Sequence, residues 1–131
     1  MSRFKRDIFF MTDIQNRKDL EFLMERFYAK LLADDAISYI FTDVAQIDLP
    51  KHLPHIVDFW EQAIFNTGNY RNNVLQIHLN LNQKAHLTPQ LFEIWLDHFS
   101  STVNSHFVGE NADKTLTRAL SIATVMKIKL Q

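Results

Sequence analysis

The stretch Asn16–Leu31, NRKDLEFLMERFYAKL, decides the fold class. Leu20, Leu23, Met24, Phe27, Tyr28 and Leu31 fall at offsets 0, 3, 4, 7, 8 and 11. That spacing makes one apolar face on an α-helix and does not fit the two-residue alternation of a strand. Asn16 precedes the stripe as an N-cap, with Asp19 three residues on. Tyr28 lies on the buried face, so its hydroxyl is expected to need a partner inside the protein.

Working outward, the apolar piece Ile37–Phe41 predicts a helical turn or two, and Asp43–Pro50 a loop. A second helix is expected over about residues 52–66, where His52, Ile56, Phe59, Trp60, Ala63 and Ile64 share a face. Pro54 is tolerable there because it falls in the first turn of that helix. Thr67-Gly68-Asn69 ends this helix, and Val74, Leu75, Ile77, His78, Leu79 and Leu81 form a short apolar segment holding one histidine. Thr88-Pro89 opens a long helix as N-cap and first helical residue. Its inner side is Phe92, Trp95, Leu96, Phe99, Val103 and Phe107, with Gly109 as the stop. The last helix turns Leu116, Ala119, Leu120, Ala123 and Met126 inward, with Ile122 and Val125 widening the face.

Two glycines and three prolines in 131 residues are too few turn formers for a sandwich or barrel. The chain therefore reads as all-α, with about four main helices. Residues 1–12 read as an N-terminal extension and 13–131 as one domain.

Composition excludes several function classes. With no cysteine there are no disulfides, thiolate metal sites or cysteine nucleophiles. A net charge of −1 gives no global attraction to nucleic acid or to an anionic membrane. No stretch approaches the roughly 18 apolar residues of a membrane span, and Ile8–Met11 is too short for a signal core. A soluble, cytoplasmic protein is expected. There is no glycine-rich phosphate loop and no Gly-x-Ser-x-Gly elbow. His52 and His55 have i, i+3 spacing but lack the flanking ligands of a zinc helix, and the scattered acidic residues do not pair for hydrolysis.

The most unusual residue is His78, set among Val74, Leu75, Ile77, Leu79 and Leu81 with no charged neighbour within three positions. An imidazole in apolar surroundings needs a partner. A metal or haem iron is one solution. A backbone carbonyl, or a ring turned to solvent, is the commoner one. Tyr28 and Trp95 are polar-tipped aromatics on the buried stripes of two helices, and His52 begins a third stripe. Each fits an ordinary core or helix start as well as a site. Eleven phenylalanines would suit a flat aromatic cofactor or a plain core.

Taken together, the segments Glu25-Arg26-Phe27-Tyr28, His52 to Trp60, Thr67-Gly68-Asn69-Tyr70, Ile77-His78-Leu79 and Phe92-Glu93-Ile94-Trp95-Leu96 resemble the group III truncated haemoglobins in order and spacing. The resemblance runs from about Asn16 to Met126, and the paired glycine motifs of the other truncated groups are missing. It implies a two-on-two helical sandwich around haem b (iron protoporphyrin IX), with His78 as the iron ligand. Tyr28, His52 and Trp95 would face the gas (O2, CO or NO), and Phe41, Phe59, Trp60 and Tyr70 would contact the cofactor. It further implies redox, nitric oxide or peroxide handling rather than O2 transport, with peroxidase-like or nitric oxide dioxygenase-like turnover and electrons from an unidentified reductase. No nucleic acid or membrane partner is expected. The competing reading is a haem-free globin-like α-helical sensor or interaction domain.

Overall fold

The computed structural model describes residues 11–68 and 74–130. Among them the chain forms helices α1 (Arg17–Ala33), α2 (Leu49–Phe65), α3 (Val74–Lys84), α4 (Pro89–His106) and α5 (Glu110–Lys129), with a π-helical turn at Ile40–Val44. Helix α1 packs on α2 and α4, while α5 packs on α4 and α2. Two helix pairs thus stack face to face, and α3 lies outside this ring of four. No β-strand occurs among the described residues, which hold only an isolated pairing of Thr12 with Phe107.

Helix α1 forms for the reasons its sequence gives. The Asn16 side chain accepts the Asp19 N–H at 3.1 Å, and the Asp19 carboxylate accepts the Gln15 N–H at 2.8 Å. All six residues of the apolar stripe are buried. Arg17 ties the helix start to α2, donating from Nη1 to Asp58 at 2.7 Å and Glu61 at 3.0 Å.

Helix α2 begins three residues before the expected boundary, because Pro50 rather than Pro54 occupies its first turn. Pro54 therefore sits inside the helix. It has no N–H to give, and at an interior position that leaves one carbonyl of the preceding turn without its helical donor. Asn66 ends α2 in the left-handed conformation.

Thr88 caps α4 as expected, accepting the Leu91 N–H at 3.3 Å. Gly109 does not stop α4. Phe107 is its C-cap, and Gly109 is the N-cap of α5. On α5 the buried stripe is Ala112, Thr115, Ala119, Ala123 and Met126. Leu120 and Val125 lie off that stripe and are 54% and 44% exposed, contrary to the inward positions expected for them.

The start of α5 is capped from a distance. Asp13 accepts the N–H groups of Ala112 and Ile14 on one oxygen and of Asn111 on the other, each at 2.8 Å. Asn111 Nδ2 returns a bond to the Ile14 carbonyl at 2.7 Å. Burial pushes the Asp13 carboxyl up, but the three backbone donors together outweigh it and hold it below the ordinary aspartate value of 3.8. A Cβ at Gly109 would lie 2.5 Å from Asp13 Cγ, so only glycine lets the cap approach.

Asp13→Ala is expected to cost about 2–3 kcal/mol of unfolding free energy, the range for charge-assisted bonds. Because the folded carboxyl ionises more readily than the unfolded one, this stabilisation is complete above pH 3.8 and fades as pH falls through the lower folded value. Urea titrations of parent and variant at pH 7 and pH 3 should show the gap closing in acid. A constant gap would refute the carboxylate cap.

Candidate functional site

The packing of these elements leaves a cavity of about 610 Å³, within the roughly 300–1,000 Å³ of cofactor-sized sites. Tyr28 of α1, Phe41 of the π-turn, His52, Phe59 and Trp60 of α2, His78 of α3 and Trp95 of α4 all line it. These residues are far apart in sequence and come from five elements. Tyr70 lies outside the described residues.

An aromatic cluster backs the cavity. Phe27 meets Tyr28, Trp95 and Phe99 edge to face at 5.4, 5.7 and 5.0 Å. Trp60 and Trp95 stack on Phe99 at 4.8 and 5.4 Å. Such contacts between fully packed rings fix orientation as well as bury area. The cluster joins α1, α2 and α4 and so sets where Tyr28 and Trp95 point. His78 is half-buried, and its ring lies 6.4 Å from that of Phe92.

The Tyr28 hydroxyl was expected to find a partner inside, and among the described residues it has none; the Trp95 indole N–H likewise has none. No side-chain nitrogen or oxygen that is sealed from solvent goes unbonded among the described residues. Both groups therefore open onto the cavity as available donors. Burial raises the Tyr28 pKa far above the ordinary 10, so the hydroxyl keeps its proton at any physiological pH. His52 is moved the other way: burial first, and the nearby His55 second, lower its pKa below 6.5 and leave it neutral at pH 7.

Sequence reading passed over several lining residues. Phe92, Ile56 and Ile122 supply apolar wall, and His55, Asn80 and Lys84 are exposed at its edge. The signal for His55 was its i+3 relation to His52 on one helix face. For Asn80 and Lys84 it was the recurrence of Ile77, Asn80, Leu81 and Lys84 at three- and four-residue steps. The remaining histidines do not converge on the cavity. His98 bonds Asp34 at 2.7 Å, joining the end of α1 to α4, and this bond draws the Asp34 carboxyl below its ordinary value. His106 packs edge-on to Phe22, and His86 is exposed.

This lining fits a haem. A porphyrin is a flat apolar ring carrying carboxylates. The cavity offers aromatic and aliphatic walls, an imidazole, and Lys84 and His55 at its exposed edge. No carboxylate occurs among its described lining residues. Two unbonded donors face the interior, as a site for a polar ligand requires.

No protein-family model matches the chain. The group 3 truncated hemoglobin ctb of Campylobacter jejuni is 30% identical over 112 residues, spanning 83% of this chain and 86% of that protein. The crystal structure of group III truncated hemoglobin from Campylobacter jejuni matches with a TM-score of 0.81 at 27% identity, over 92% of this chain and 95% of that one.

Proposed function

The chain belongs to the group III truncated haemoglobin family, and on that premise we propose that His78 is its iron ligand and that Tyr28, His52 and Trp95 face the bound gas. As a truncated haemoglobin it is a globin that binds haem and diatomic gases. We assign the cofactor as haem b. The observation that carries the reading is the convergence on one cavity of a half-buried imidazole, the buried Tyr28 hydroxyl and the half-buried Trp95 indole, both donors without an acceptor among the described residues.

When bound, haem iron supplies an open coordination position for a diatomic ligand. The protein supplies the rest. His78, as neutral imidazole, offers one ring nitrogen to the metal, and a bond from its other N–H would fix the ring. Lys84 and His55 suit the cofactor's carboxylates. Tyr28 and Trp95 donate hydrogen bonds to the polar end of the ligand, and the aromatic cluster holds them in place. Phe41, Phe59 and Trp60 exclude water and contact the porphyrin, a role we extend to Tyr70 by resemblance alone.

Two donors on one ligand slow its release, which suits redox handling of oxygen, nitric oxide or peroxide better than O2 transport. Electrons then come from a reductase. His52 stands in the first turns of α2 and, neutral at pH 7, can lie in the pocket without a charge penalty. We assign it as a gate between solvent and cavity. His52→Ala is expected to speed CO association, and an unaltered rate would remove the gate.

Absorption spectra of haem-supplemented protein, oxidised, reduced and under carbon monoxide, test the central reading. A strong violet band that shifts with CO is the expected result. Colourless protein would leave the haem-free helical scaffold as the answer.

A further inference from the structure

One bond outside the cavity ties together the two helices that carry its donors. His98 Nε2 lies 2.7 Å from an Asp34 carboxylate oxygen, and both side chains are partly buried. Asp34 closes α1 less than two turns past Tyr28, and His98 stands about one turn past Trp95 on α4. The bond therefore spans the two helices close to both donors, while neither of its members lines the cavity.

Asp34 also fixes part of the cavity wall. Its other oxygen accepts the Ala36 N–H at 2.9 Å, and its carbonyl accepts the N–H groups of Ile37 at 3.1 Å and Ser38 at 2.8 Å. That turn begins the segment from which Ile37, Ile40 and Phe41 line the cavity. The Phe41 ring in turn meets Tyr28 edge to face at 5.7 Å. One residue thus holds the end of α1, the turn behind Phe41 and, through His98, helix α4.

The strength of this tie depends on the charge of the imidazole. The bond to His98 first, and the Ala36 N–H second, hold the Asp34 carboxyl below its ordinary 3.8, so it is ionised throughout the neutral range. A protonated ring joins two full charges; a neutral ring still donates an N–H, but more weakly. Among the described residues no other charged side chain bonds either member. Lys30, one turn earlier on α1, donates to Ser101 at 2.8 Å, and Asp35 and Asp97 are the charged chain neighbours. Helix α5, also packed on α4, offers neither member a bond.

We propose that Asp34 and His98 are positioning residues for gas retention. Their bond keeps Tyr28 and Trp95 at one spacing, tightens as the imidazole takes up a proton, and so slows O2 release in mild acid. This rests on the reading of the cavity as the gas-binding site, with Tyr28 and Trp95 as the donors.

Release of O2 and of CO from the reduced, haem-loaded protein, followed by stopped flow between about pH 5.5 and 8.5, tests it. The parental O2 dissociation rate should rise roughly threefold across this range while the CO rate stays level. His98→Gln keeps an N–H for Asp34 but cannot titrate, so it should lose the rise and release O2 at the parent's alkaline rate. His98→Ala, with no donor, should release O2 faster at every pH. If it does not fold, Asp34→Asn, which keeps an oxygen for the Ala36 N–H, replaces it. A rise that survives in His98→Gln belongs to His52, the titrating residue of the cavity itself, and overturns the proposal. So does a CO rate that moves with the O2 rate, since a merely structural tie would loosen the pocket for both gases. Either result leaves the haem site intact. A parent with no CO-sensitive band would instead remove the gas-binding reading and this tie with it.

Discussion

Replacing His78 by glycine is expected to strip the protein of stably held haem, and free imidazole is expected to restore it. The ring is the one imidazole on α3, the helix outside the ring of four, and it lines the cavity. Removing a group that merely orients a metal ligand costs roughly 10–100-fold in affinity, and removing the ligand itself should exceed that. The hole left at residue 78 admits a free imidazole, which supplies the same nitrogen. Glycine in a helix costs about 1 kcal/mol relative to alanine, so circular dichroism should be near parental. Haem titration with and without imidazole then isolates the coordinate bond. If uptake and spectrum match the parent under both conditions, His78 is not the ligand.

The legible parts of the fold are those governed by local periodicity. The stripe of α1 and the Asn16 and Thr88 caps follow from residue spacing and side-chain chemistry alone, and the structure reproduces them. The start of α2 was misread because either proline can serve a first turn, and Pro50 is the one that does. Gly109 was read as a stop because glycine ends helices often. Its actual function depends on Asp13, almost a hundred residues earlier, and no local pattern reveals that partner. Leu120 looked inward because an all-helical chain offers more apolar residues than one face can bury.

For the site, the sequence supplied unusual residues but not their convergence. His78 and Tyr28 were noticeable as polar groups in apolar company. That seven of the residues picked out share one cavity is a property of how the helices cross. Lys84 was passed over for the same reason: an exposed cation on a helix looks the same whether it faces bulk water or a ligand's carboxylate.

The available donors lead to the second large effect. Tyr28→Phe should raise the O2 dissociation rate of the reduced protein about tenfold, and Tyr28→Phe with Trp95→Phe about a hundredfold. A hydrogen bond to a charged acceptor contributes about 1.5–3 kcal/mol, and about 1.4 kcal/mol is a factor of ten. The substitution is unusually clean. The tyrosine ring keeps its edge-to-face contacts with Phe27 and Phe41, and its hydroxyl has no partner among the described residues to leave stranded. Stability should therefore hold or rise slightly, as expected when a buried hydroxyl with no partner is removed. Carbon monoxide, the less polar ligand, should leave at nearly its parental rate. That contrast separates loss of a donor from loosening of the pocket, which would speed both gases. An O2 dissociation rate unchanged by Tyr28→Phe would deny the tyrosine its role, and with it the argument that tight ligand retention directs this globin away from transport.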